Sequence, residues 1–297
     1  GEGLEAGAAT AGGGLAALQG TASQSPSTPA LPEDTTAATA SSFCAGKGGW
    51  KLEWVDDFHG DALDPKSWQA VTSRGGYKDI NMGVAGLNVT ACRCATCRPQ
   101  NVRVEDGELV ILSERDSQDP TRYYSAAVAT KDRIAWSTAE GPFRVCIRAK
   151  LPLNTRGVWP AHWMLPQNGY EDKCLDEGEM DIMEMVSADG RAYNAYHWLS
   201  SWPGQRCGDF DRYHKSVSSS RIVQGYSTQF HEYAVERSGS QIEYAIDGAV
   251  VGSFPAKKFK LSDSPFFLIL NTAVGGGWPG NPQEGKTKMP VEHRIDW

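Results

Sequence analysis

Residues 231–254 read HEYAVERSGSQIEYAIDGAVVGSF, and this stretch constrains the fold more than any other. It reads as two β-hairpins in series. Ser238-Gly239-Ser240 makes the first turn. Asp247-Gly248 is a strong signal for the second, because tight hairpin turns need positive φ at their central residues. PFRVCIRAKLPL (142–153) alternates with the same period of two. Phe143, Val145, Ile147 and Ala149 point one way and Arg144, Arg148 and Lys150 the other, which predicts a strand with one buried face. GELVILSER (107–115) and PFFLILNTAV (265–274) are apolar on both faces, as inner strands of stacked sheets are. No long amphipathic helix is evident. Many short strands with Gly and Pro turns predict an all-β sandwich or jelly roll.

Composition divides the chain. Residues 1–42 are mostly Gly, Ala, Ser, Thr and Pro, with hardly a bulky apolar group. Such a segment buries too little surface to offset its ordering entropy, so a flexible low-complexity tail or linker is expected there. It has neither the basic start nor the apolar run of a secretory signal. It begins with Gly, so the chain is expected to be a piece of a longer precursor. From Phe43 to Trp297 the residues are dense in aromatic and β-branched types, and all 10 Trp lie there. This part is long for one domain but within the range of β-sandwiches. No run of apolar residues is long enough to span a membrane.

The formal net charge is -7, with no Lys/Arg block. Phosphate binding needs a basic surface, so nucleic acid is excluded as a partner. The 10 Trp and 10 Tyr suit a sugar-binding surface as well as a core. Seven Cys and the potential N-glycosylation triplet Asn88-Val89-Thr90 lean toward an oxidising, extracellular setting, so a secreted protein is expected. ACRCATC (91–97) lacks the second ligand pair that a closed zinc site needs. An odd count leaves one Cys unpaired within the chain, and Cys146, inside a predicted strand, is the expected one.

The stretch EMDIME (179–184) crowds three carboxylates between large apolar residues. On a helix the apolar residues would cover every side. On a regular strand Glu179 and Asp181 share a face while Glu184 falls into the core, where a lone charge is costly. A strand with one extra residue near Met183 resets the phase. Glu179, Asp181 and Glu184 then face one way, and Met180, Ile182 and Met185 pack inward. Two carboxylates so placed can flank a bond at about 5–5.5 Å, the separation of a retaining glycosidase. The middle one can hold a proton and tune the pair. A solvated acidic strand or a calcium site are the alternatives.

EGEMDIMEMV resembles the active-site strand of glycoside hydrolase family 16 in its ExDxxE form. Three further stretches resemble that family in order: RGVWPAHWMLP (156–166), FHEYAVERSGSQIEYAIDG (230–248) and PFFLILNTAVGGGWPG (265–280). The resemblance runs from about Trp50 to the end. It implies a β-jelly roll of two curved antiparallel sheets with a concave substrate cleft. It also implies that Glu179 is the nucleophile, Asp181 its assistant, and Glu184 the acid and then the base. The longer spacing is similar to laminarinases, agarases and carrageenases, and WPAHWML and AVGGGWPG favour the laminarinase-like endo-β-1,3-glucanases among them.

By the same resemblance, Trp163 is expected to stack on a sugar ring near the scissile bond. Trp159 is weighed between sugar contact and core packing. His197 would face the leaving-group side, and Trp278 would wall the non-reducing side. Asn101, Arg133 and Asn271 match positions that hydrogen-bond glucose hydroxyls. No cofactor is required. A structural calcium on the convex face is implied, with the Asp57 and Gly107 carbonyls and the Asp296 side chain as ligands.

Three features depart from the family's pattern. Residues 74–98 carry Gly75-Gly76, the glycosylation triplet and three Cys in place of the usual motif. A Cys174–Cys207 disulfide is expected to pin two cleft loops. The chain stops at Trp297, so its last strand is expected to be cut short. The reading is therefore an endo-acting, retaining hydrolase of β-1,3-glucan, laminarin-type or mixed-linkage, acting as a monomer. The alternatives are a transglycosylase on the same glucans and a non-catalytic β-glucan receptor on the same fold.

Overall fold

The structure is a computed structural model. It describes residues 15–20, 43–45, 49–73, 80–81, 92, 95–153, 156–167, 178–186, 188–199, 214–259, 261–283 and 285–297. The Asn88 glycosylation triplet, Cys94 and the expected Cys174–Cys207 pair lie outside these residues, as does most of the 74–98 segment.

The strands in chain order begin with β1 (Leu15–Gly20), β2 (Trp50–Asp56), β3 (Gln69–Ala70), β4 (Thr72–Ser73) and β5 (Ile80–Asn81). Next come β6 (Thr96–Cys97), β7 (Val102–Glu105), β8 (Glu108–Arg115), β9 (Tyr123–Ser125) and β10 (Ala127–Ala129). The middle of the chain gives β11 (Phe143–Lys150), β12 (Val158–Pro166), β13 (Glu179–Met185), β14 (Arg191–Leu199) and β15 (His214–Ile222). The last are β16 (His231–Arg237), β17 (Gln241–Ile246), β18 (Ala249–Pro255), β19 (Phe266–Val274) and β20 (Val291–Ile295).

Two large sheets stack. One runs β18-β17-β16-β11-β20-β8-β9-β6, with β1 bridging β11 to β2 and β7 beside β8. The other runs β15-β14-β13-β12-β19-β10-β3. This is the expected all-β jelly roll. The paired hairpins appear as β16-β17-β18, and Asp247 and Gly248 take φ of 49° and 76° at the second turn. Every residue of β19 is buried, as its two-sided apolar run requires.

The main core lies between the sheets. Met164, Met180, Ile182, Met185, Tyr196, Leu268 and Leu270 from one sheet meet Phe143, Val145, Ile147, Tyr233 and Val235 from the other. Two histidines also bridge the sheets. His162 of β12 and His293 of β20 are fully buried, their rings stacked with Nε2 atoms 2.9 Å apart.

Three expectations are corrected. Leu15–Gly20, inside the supposed tail, forms a strand paired on both sides, with β2 and with β11. Composition misleads there because a ladder is held by backbone groups, which small residues supply as well as large ones. Cys146 is not the unpaired cysteine: it joins Cys44 in a disulfide across 102 residues, and Cys92 joins Cys97. The outer face of β11 is also covered. Arg144 is only 7% exposed, pairs with Glu236, and lies over the rings of Phe43 and Trp50.

Candidate active site

The site is built on β13, which is held by β12 on one side and β14 on the other. Gly178 delivers the chain into it. Its φ is +100°, and a Cβ there would lie 2.3 Å from the Tyr196 hydroxyl, so only glycine fits. The expected bulge is present: the register with β14 shifts between Asp181 and Glu184, and the register with β12 shifts at the matching point. Met180, Ile182, Met183 and Met185 all enter the core, while Glu179 and Glu184 stay half-buried. One strand thus presents three carboxylates to one face while its apolar residues fill the other.

Cross-strand register shows what surrounds them. Glu179 is opposite His197, Asp181 lies between Trp163 and Ala195, and Glu184 lies between Ala161 and Tyr193. Directly opposite residues in a sheet share a face. Ala161, Ala195 and, opposite Trp159, Ala273 put small side chains on that face, which leaves room above it.

Aromatic groups gather at Glu184. The Trp159 indole N–H donates to its Oε1 at 3.1 Å. Trp278, 48% exposed, meets Trp159 edge-on at 5.4 Å and Tyr193 at 5.1 Å. Trp163 donates its N–H to Oδ1 of Asn271 at 2.7 Å, and Asn271 is itself buried. Asn271 therefore orients Trp163.

At the other end, His197 places Nε2 3.1 Å from Oδ2 of Asp181. Its Nδ1 lies 2.7 Å from Nε2 of His214, and the two imidazoles stack with centroids 4.9 Å apart. Burial pushes the Asp181 carboxyl up to about 8, so it holds a proton at neutral pH.

Two further expected sugar contacts have partners within the protein. Asn101 is fully buried, accepts from Arg98 and donates to Leu112 O and Glu114, so no sugar reaches it. Its Asn side chain fastens a turn to β8, a role that a polar letter in a motif does not reveal. Arg133 is exposed and donates to the carbonyls of Pro65 and Lys131. Tyr193 and His214 were not foreseen. The odd-numbered alternation of Tyr193, Ala195 and His197 carried the signal for the first. His214 is brought diagonally across from His197 by the β14–β15 pairing, which no local pattern announces.

On the opposite sheet, Asp296 pairs with Arg148 and Asp57 with His59. Burial raises the Asp296 carboxyl, and Glu108 and Asp57 press on it as like charges. Oxygen ligands of this kind suit calcium, but Asp296 already holds the Arg148 guanidinium as its counter-ion.

Residues 92–297 match the model of glycosyl hydrolases family 16. The chain belongs to glycosyl hydrolases family 16. Its endo-1,3-beta-glucanase relatives in this family mark it as a glycoside hydrolase. It is 31% identical to glucan endo-1,3-beta-glucosidase A1 of Niallia circulans over 84% of this chain, but spans only 37% of that relative's length. It is 30% identical to the beta-glucanase of Rhodothermus marinus, covering 84% of each. Among solved structures, the endo-beta-1,3-glucanase from Pyrococcus furiosus is similar with a TM-score of 0.67 and 26% identity, covering 83% of this chain and 92% of that one.

Proposed function

We propose that this chain is an endo-acting, retaining hydrolase of β-1,3-glucan, working by double displacement. The observation that carries it is the bulged β13, which turns Glu179, Asp181 and Glu184 to one face between Trp159, Trp163 and Trp278. The named activities of the Niallia, Rhodothermus and Pyrococcus relatives support the substrate class.

In the first step a Glu179 carboxylate oxygen attacks the anomeric carbon. The glycosidic C–O bond breaks, and Glu184 gives its proton to the departing oxygen. A glycosyl ester on Glu179 results. In the second step Glu184 takes a proton from water as its oxygen attacks the same carbon, and the ester bond breaks. Asp181, protonated by burial and within 4.8 Å of Glu179, would lend it a proton-bearing neighbour without adding a second negative charge. The aromatic rings offer flat apolar faces to sugar rings. A partly open aromatic wall at Trp278 suits a polymer bound along its length.

The two disulfides support an oxidising, extracellular location, and a monomer suffices for this site because every group in it comes from one chain. A structural calcium held by Asp57, Gly107 and Asp296 belongs to the same proposal. It would brace the fold, and a melting temperature unchanged between excess calcium and a chelator would remove it.

The deciding experiment is reducing-sugar release from laminarin, lichenan, agarose and carrageenan, beside a Glu179→Gln variant. We expect laminarin cleavage by the wild type and its loss in the variant. Laminarin bound but not cleaved would instead favour the receptor reading.

A further inference from the structure

The cluster at the His197 end has a second property that glycoside cleavage does not use. One donor atom from each of Glu179, Asp181 and His197 lies within 4.8 Å of the others. Three observations go beyond a group of acids that happen to be near one another. One donor is an imidazole. Asp181 is 3% exposed, and its Oδ2 makes no hydrogen bond although His197 Nε2 is 3.1 Å away. The other nitrogen of His197 is engaged by His214 at 2.7 Å.

We propose that Glu179, Asp181 and His197 form a binding site for a borderline divalent metal ion such as Zn²⁺, and that its occupation reversibly blocks catalysis. The donor set is one nitrogen and two carboxylate oxygens, with room for a water or another ligand, as open zinc sites have. Ligands about 2.0–2.1 Å from a tetrahedral ion lie about 3.3 Å apart. The 3.1 Å separation of His197 Nε2 from Asp181 Oδ2 is close to that. Imidazole with carboxylate suits zinc, copper or nickel better than magnesium or calcium, which prefer oxygen alone.

His214 supplies the outer partner that metal-bound histidines usually have. When His214 accepts from the Nδ1–H of His197, Nε2 turns its lone pair toward Oδ2. Binding displaces the proton that Asp181 otherwise holds, and the metal then sits where two lone pairs converge. Because Glu179 is a ligand, the ion takes the oxygen that would attack the sugar, so metal and glucan exclude each other. The inhibitory consequence rests on the proposed reaction; the binding itself does not.

The test is titration of the full chain with ZnCl₂ by calorimetry in chelator-free buffer, with Co²⁺ as a spectroscopic probe. We expect one ion per chain, the visible bands of low-coordinate Co²⁺, and competitive inhibition of laminarin hydrolysis with the same midpoint. Asp181→Asn and His197→Gln should each weaken binding at least ~10-fold, and His214→Gln about 10–100-fold, as loss of an outer partner does. Circular-dichroism melting of each variant separates a lost site from a lost fold. Binding unchanged in folded Asp181→Asn and His197→Gln, or absent at millimolar Zn²⁺, overturns the proposal. Zn²⁺ bound normally by a chain that cleaves no laminarin would sink the glucanase reading and leave the metal site standing.

Discussion

Trp159 donates its indole N–H to the carboxylate of Glu184, so the expected acid-base residue is oriented by a side chain that also forms the cleft wall. A hydrogen bond to a charged group contributes about 1.5–3 kcal/mol. Trp159→Phe keeps most of the ring and removes the donor. We expect kcat/KM on laminarin to fall roughly 10- to 150-fold. Because the ring face survives, KM should move less than kcat. A loss confined to KM would mean that Trp159 serves only as a sugar platform.

Asp181 is expected to couple stability to pH. Its folded pKa is raised to about 8 from an ordinary 3.8. Between those values the native state holds a proton that the unfolded state has released, so stability falls as pH rises through that window. Asp181→Asn removes the titration and keeps the shape. Its melting temperature should gain on the wild type as pH rises from 4 to 8. A constant difference across that range would show that Asp181 is ionised in the fold.

The buried His162–His293 pair acts in the opposite direction. Burial lowers His162 well below 6.5 and takes His293 from 6.5 to about 3. Below pH 6.5 the unfolded histidines bind protons that the folded ones refuse. Stability is therefore lost as pH falls, by up to about 1.4 kcal/mol per pH unit for each histidine. The neighbours packed on the pair, Tyr233 and Thr272, are uncharged across that range. Denaturant midpoints for a His162→Gln, His293→Gln double variant should show a flatter acid limb than the wild type. Parallel limbs would rule the pair out.

The Cys44–Cys146 bond ties the segment before β2 to the central strand β11 across 102 residues. Closing a loop of that length stabilises by roughly 4–5 kcal/mol if native geometry is unstrained. Cys44→Ala should lower the melting temperature by many degrees, and reductant should do the same to the wild type. No change with reductant would indicate that the bond does not form in solution.

How much of this was legible in the sequence depends on the range of the interaction that decides each feature. The β13 bulge could be foreseen because its cause is local: three charges and four apolar residues cannot both be satisfied by a regular strand. The hairpins of β16–β18 are local in the same way. Cys146 was misjudged because its partner lies far back in a segment without other strong signals. β1 was missed because its pairing depends on strands that begin 30 residues later or more, while its own side chains carry little pattern. Asn101 matched a motif by residue type, yet its burial goes with β8, whose Leu112 carbonyl and Glu114 carboxylate it bonds. His214 reaches His197 only through the pairing of two strands.

The extra residue in β13 also has a consequence for the gene. Three positions separate Asp181 from Glu184 in sequence, but across the bulge they span the length of two. Deleting one codon at Ile182 or Met183 would leave a regular strand with all three carboxylates on the same face at nearly the same span. Inserting one codon would also restore a regular strand, but would carry the acid about 6.8 Å further along it. Small in-frame length changes here are therefore unequal: shortening leaves a lineage with a usable set of carboxylates, whereas lengthening separates them.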